Sequence, residues 1–189
     1  MRKLQTALDY KHRLTYLDNS LMTNLEVEEM SASNSRPKYV TAKIMIDPSA
    51  EPVFVTNCHL HYKTEPIRLR ELDTIEKNLK TLFDERVAQI WTGDFNSLTR
   101  EDYDDETWED IARVRRENNW EPPKVAITNQ IKKMNFEDCW TLVGRPEPYG
   151  TCRFVDKIKE IWRQIQDAVA CSVTTLEFMF YSVQVQHSH

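Results

Sequence analysis

Glycine is nearly missing from this chain: 3 of 189 residues, about 1.6% where average usage is roughly 7%. Such scarcity is odd for a complete enzyme rich in tight turns. Cysteine is sparse and scattered, at Cys58, Cys139, Cys152 and Cys171. No Cys-x-x-Cys pair suggests a zinc knuckle or a dithiol redox motif. With no secretory signal a disulfide framework has no support, and the four read as small buried thiols. A surplus of basic charge is also absent: 25 Lys and Arg against 30 Asp and Glu give 25 − 30 = −5. That balance excludes a strongly basic whole-chain surface for sequence-blind phosphate binding, and leaves room only for a local basic face. No window approaches the roughly 20 apolar residues of a membrane span. Met1-Arg2-Lys3 runs into Leu4-Gln5-Thr6-Ala7-Leu8-Asp9 where a signal peptide needs an apolar stretch. The expectation is a soluble, intracellular protein, cytoplasmic or nuclear. A hydrophobic content of 40% with 29% charge fits one globular domain of roughly 100–200 residues.

The first 38 residues are polar and poorly periodic, closing in the loop formers Ser31 to Pro37, and read as a peripheral segment. From Tyr39 to Ile46 apolar and polar residues alternate, the period of a half-buried strand. After the turn Asp47-Pro48-Ser49-Ala50-Glu51-Pro52, the β-branched run Val53 to Leu60 makes a second strand and a hairpin with the first. Pro66 fits a first helical turn, and Leu72, Ile75, Leu79 and Leu82 recur at three and four. Val87 to Trp91 is a strand that stops at Gly93-Asp94-Phe95-Asn96. Strand, helix, strand is an α/β signature. A helix is expected over about 107–116, with Trp108, Ile111 and Ala112 inward and acidic residues at its positive end. Thr128 is placed to cap a short helix through Ile131 and Met134. The acidic stretch Glu101 to Asp110 reads as a solvated surface and fails the calcium-loop template.

The chemistry concentrates in Gly93-Asp94-Phe95-Asn96. A carboxylate and a carboxamide two positions apart on extended chain point the same way. Asp94 can orient or deprotonate water, and the Asn96 amide can hold a phosphate oxygen. By itself the tetrapeptide is equally a strand-end turn with two polar caps. His59, ending the neighbouring strand, would share the same crevice of an open α/β sheet. His61 makes a His-x-His pair with it, but a third metal ligand is not evident, and His12, His187 and His189 have no metal-binding spacing with it.

Asn57-Cys58-His59-Leu60-His61-Tyr62-Lys63-Thr64-Glu65-Pro66-Ile67-Arg68, then a helix, a strand and Gly93-Asp94-Phe95-Asn96, resembles the endonuclease/exonuclease/phosphatase superfamily over roughly residues 40 to 153. The resemblance implies a two-sheet β-sandwich flanked by helices, here incomplete at both ends, with a partial family domain over residues 39–189. It implies a metal-dependent phosphoesterase, with Mg2+ (or Mn2+) as cofactor and a phosphate-ester substrate such as a nucleic acid or inositol phosphate. The implied catalytic residues are His59, Asp94 and Asn96; Asn96 and Arg68 would bind substrate, and Asp94 and Glu177 the metal. Two departures stand out. No strand before Tyr39 ends in the family's metal-binding Glu, and Thr174 to Ser182 is a degraded form of its closing Arg-Ile-Asp-Tyr-Ile strand, with Glu177 in the Asp position and no Ser-Asp-His after it. Arg153 to Ile158 is a no better match, and Lys157 to Ala170 reads as an inserted helix. The expectation is therefore weak or absent activity. The alternative is a noncatalytic module that binds a protein partner through an exposed edge or apolar surface.

Overall fold

The computed structural model describes residues 11–16, 19–33, 35–46, 51–85, 87–138 and 182–186. Cys139, Cys152, Cys171, Glu177 and the segments 153–158 and 157–170 lie outside the described residues, as do His187 and His189.

The described residues before Ser35, in a segment expected to be poorly periodic, are largely strand. The segment holds β1 (His12–Tyr16), β2 (Asn19–Thr23) and β3 (Glu26–Ala32). Its alternation is hidden because the register of β3 against β4 (Lys38–Met45) shifts between Val27 and Glu29. Such a bulge breaks the period of two on which strand recognition depends. β4 and β5 (Val53–His59) form the expected antiparallel hairpin, with Thr41 opposite Thr56 and Tyr39 opposite Cys58. The chain then passes through α1 (Glu65–Asn78) and a short α2 (Lys80–Asp84) into β6 (Gln89–Asp94), which runs parallel to β5. After a single 3-10 turn come α3 (Asp105–Glu117), α4 (Ala126–Lys133), the two-residue β7 (Glu137–Asp138) and β8 (Ser182–Gln186).

The result is the expected α/β class. β1 and β2 make a two-stranded sheet, and the main sheet is six-stranded and mixed, in the order β3-β4-β5-β6-β8-β7. Alternation sends the two sides of β4 into different cores. Val40, Ala42 and Ile44 pack with Leu21 of the small sheet. Tyr39 joins Cys58 and Trp91 beneath Leu72 and Ile75 of α1 and Ile127 and Ile131 of α4. Trp91 is fully buried, with Phe136 tilted against it at 5.1 Å and Phe83 edge-on at 5.9 Å. Its indole N–H donates to Gln89 Oε1 at 3.2 Å, which satisfies the one polar atom such a ring takes into a core. Thr41 and Thr56 share a hydrogen bond of 2.9 Å across the strands, so two buried hydroxyls satisfy each other.

α3 matches its expected span to within two residues, but no residue of it is buried; Trp108, Ile111 and Ala112 are half-covered. Trp108 packs on Tyr103 at 6.0 Å and beneath the Arg100 guanidinium at 5.1 Å. Asp104 caps the helix by accepting from the Thr107 amide at 2.7 Å. The backbone and side chain of Thr107 and the charge of Arg100 hold its carboxyl below the ordinary range. A lowered folded-state pKa means that the cap stabilises the helix above the ordinary carboxylate range and is lost as pH falls through the folded value. Asp104→Ala is thus expected to speed amide exchange at Thr107 at neutral pH, with the difference from the parent vanishing on acidification; hydrogen exchange by NMR measures it.

α4 corrects the expected cap. The helix starts at Ala126, so Thr128 lies inside its first turn and donates to the carbonyls of Val125 (3.0 Å) and Leu98 (3.2 Å). The amide of Ala126 at the helix start donates instead to the Glu65 carboxylate of α1 at 2.7 Å. A helix start has several unpaired N–H groups, and any nearby acceptor serves; sequence proximity is not required.

Candidate active site

β5 and β6 are parallel neighbours, and their register sets His59 directly beside Asp94. Paired residues on adjacent strands project to the same side of the sheet. His59 Nε2 lies 3.8 Å from Asp94 Oδ2, with the side chains 37% and 27% exposed. That separation exceeds a hydrogen bond and is a charge–charge contact when the imidazole is protonated. Both groups are reachable from solvent and partly shielded from it.

Two hydrogen bonds tie the two strand ends together, and a third closes the turn that follows β6. The Leu60 amide donates to the Asp94 carbonyl at 2.9 Å, which extends the ladder one residue beyond β5. The Asn96 amide donates to Asp94 Oδ1 at 2.8 Å, closing a turn over the aspartate. The Asn96 Nδ2 group donates to the Leu60 carbonyl at 2.9 Å. The chain is not extended here: Asn96 has φ of +48°, a left-handed conformation that asparagine tolerates better than most residues. Asn96 therefore does not continue the extended strand on which the side-by-side projection of Asp94 and Asn96 was expected. Phe95 between them is buried in the core and anchors the turn. Asn96 thus reaches back to the residue after His59 and acts on the geometry of the histidine.

Arg68, expected to meet substrate, is placed otherwise. Its side chain is 5% exposed, and its guanidinium donates to Glu121 at 2.6 Å. Both oxygens of Glu121 also accept from the Glu65 amide, at 2.8 and 3.0 Å, at the start of α1. Partial burial works to raise the Glu121 carboxyl, and the Glu65 amide, Arg68 and Lys124 overcome it, leaving the group below the ordinary range. Glu65 is buried, and its carboxylate is committed to α4. Sequence periodicity held a signal for both. Stepping back from Leu79, Ile75 and Leu72 by three and four meets Arg68 and Glu65, so these charged residues lie on the buried face of an amphipathic helix. Charges on such a face must find partners.

Glu71, another residue of that face, was not singled out by its sequence. One oxygen accepts from the His61 amide at 2.6 Å and the other from Arg36 at 3.3 Å, which fixes the loop that follows His59. Cys58 lies under the site and is fully buried; burial first, then the negative charges of Asp94 and Glu71, push its thiol far upward. It stays a neutral thiol and has no nucleophilic role at neutral pH. His61 Nδ1 accepts from the Lys63 amide at 3.0 Å.

A hard divalent ion takes about six oxygen ligands, several from carboxylates. Among the described residues no group of three or more His, Cys, Asp or Glu side chains is placed to hold a metal ion. These residues alone do not fit Mg2+, and Glu177 lies outside them.

Neither a protein-family model nor a curated protein sequence matches the chain. Solved structures resemble it in backbone path. D. rerio TDP2 humanized by 14 mutations is 13% identical with a TM-score of 0.49, over 99% of this chain and 63% of that one. Truncated Caenorhabditis elegans TDP2 is 13% identical with a TM-score of 0.47, over 98% and 64%. An endonuclease/exonuclease/phosphatase from Beutenbergia cavernae DSM 12333 is 16% identical with a TM-score of 0.45, over 97% and 48%. The chain thus spans between 48% and 64% of the length of these proteins. No helix among the described residues is long and apolar enough to cross a membrane.

Proposed function

We propose that the chain carries part of a phosphoesterase site of the endonuclease/exonuclease/phosphatase class, with His59 and Asp94 at its centre and slow hydrolysis of phosphodiesters or phosphomonoesters as its activity. The observation that supports this reading is the register of β5 on β6, which sets an imidazole and a carboxylate 3.8 Å apart at the carboxyl ends of two parallel strands. In an α/β sheet that is where ligands bind. Asp94 stands beside the imidazole, and a protonated His59 can place its proton on a departing ester oxygen. Asn96 holds the Leu60 carbonyl and so keeps His59 in register. Acid–base assistance of this kind contributes typically 10²–10⁴-fold.

Mg2+ or Mn2+ remains the proposed cofactor, with Asp94 and Glu177 as ligands. Nucleic acids and inositol phosphates are the proposed substrate classes. The second reading, a noncatalytic module that binds a protein, is favoured by one observation: Arg68 and the Asn96 amide, both expected to meet substrate, are engaged within the protein.

Hydrolysis of an activated aryl phosphodiester, with Mg2+ and with chelator, separates the two. The expected result is slow, chelator-sensitive turnover that falls to background in Asp94→Ala and in His59→Ala, and falls partway in Asn96→Ala. Identical rates in parent and variants overturn the enzyme reading in favour of the binding module.

A further inference from the structure

Three large apolar side chains stand out into solvent among the described residues: Tyr62 at 67%, Trp120 at 60% and Val114 at 40% exposure. An isolated exposed ring needs no explanation in general. Tyr62 differs because its ring is held. It stacks on His61 with centroids 5.0 Å apart and planes 10° from parallel. His61 is in turn fixed at both its backbone amide, by Glu71, and its ring Nδ1, by the Lys63 amide. The tyrosine therefore presents one covered face and a ring whose orientation is set before any ligand arrives.

Its position adds the second observation. Tyr62 follows His59 by three residues, so their Cα atoms are within ~11 Å. That is close enough for a base and a phosphate of one strand to occupy the two places together. Residues 59 to 64, His-Leu-His-Tyr-Lys-Thr, contain no acidic group, and Lys63 is exposed beside the ring. Lys63 thus offers an anionic ligand a cation, while the Asp94 and Glu71 carboxylates are already taken up with His59 and the His61 amide. Trp120 is tied to the same helix start, since its neighbour Glu121 holds the Glu65 amide.

We propose that Tyr62, backed by His61, is a stacking subsite for an unpaired nucleobase of a phosphate ester bound at His59 and Asp94. The inference rests on the phosphoesterase reading of that site and narrows its substrate to single-stranded nucleic acid. Base–aromatic stacking is worth ~1–3 kcal/mol per base, and any of the bases offers the same flat face. An inositol phosphate offers no such face.

The test is binding, measured in chelator by fluorescence anisotropy, of a labelled oligothymidylate and of an abasic strand of equal length. The parent is expected to prefer the oligothymidylate. Tyr62→Ala should weaken it about tenfold, the equivalent of 1.4 kcal/mol, and abolish the preference, while Tyr62→Phe keeps both. Binding of the abasic strand should not change in either variant. Equal affinity of the parent for the two strands, no binding of either, or a Tyr62→Ala variant that binds oligothymidylate like the parent overturns the subsite and leaves Tyr62 to a protein contact. Failure of the phosphoesterase reading gives a different pattern: Tyr62-dependent base binding with no hydrolysis by the parent.

Discussion

Gly93→Ala is expected to leave little or no folded protein. Gly93 has φ of +118°, a conformation that L side chains rarely adopt. A Cβ there would overlap the Cys58 carbonyl oxygen and stand 2.6 Å from Asn57 Oδ1. Neither obstacle can yield cheaply. Cys58 is a central residue of β5, paired with Tyr39 on one side and with Gly93 itself on the other, and Asn57 is buried. Relief would require β5 and β6 to separate where they hold the site together. Strain plus broken ladder bonds places the cost at ~4 kcal/mol or more, at the far end of what single substitutions do. A domain's whole stability is roughly 5–15 kcal/mol. Urea unfolding followed by tryptophan fluorescence measures the loss, with Trp91 in the core as reporter. A variant of near-parental stability would show that this close approach does not exist.

The second large effect concerns Glu121. Glu121→Ala leaves the Arg68 guanidinium buried with its carboxylate gone and the Glu65 amide without its acceptor. Breaking a buried pair from one side costs ~3–5 kcal/mol, because the remaining charge has lost both water and partner. Removing both ends should cost much less: Arg68→Met with Glu121→Ala is expected to regain a large part of the stability, since no charge is then stranded. The pH dependence has a definite sign. The carboxyl of Glu121 is lowered in the folded state, so its contribution is complete above the ordinary glutamate value of about 4.3 and is lost as pH falls through the folded value. The gap between parent and Glu121→Gln should therefore be widest at neutral pH and narrow in acid. Thermal unfolding at neutral pH and below pH 4 measures it, and a constant gap would show that Glu121 acts through packing alone.

Both predictions concern residues whose importance depends on chain segments far apart in sequence. Tyr39 to Ile46, Val53 to Leu60 and Val87 to Trp91 announced their strands because each keeps a local pattern of apolar and β-branched residues. Leu72, Ile75 and Leu79 announced α1 in the same way. His59 and Asp94 were legible as strand-end polar groups for that reason. Where local pattern fails, so does the sequence: β3 was hidden by a bulge, and β1 and β2 are short and polar.

The α/β class and the position of the two polar strand ends follow from local pattern, since hydrophobic period and turn chemistry act over a few residues. Which polar groups face solvent and which are bound inside was decided only by the tertiary structure. Arg68 is drawn inward because Glu121, 53 residues on, meets it. Asn96 turns back because the Leu60 carbonyl, 36 residues earlier, needs a donor. α4 is capped by Glu65, 61 residues away. A buried polar group takes whichever partner the fold brings near, and no short-range pattern in the chain encodes that choice.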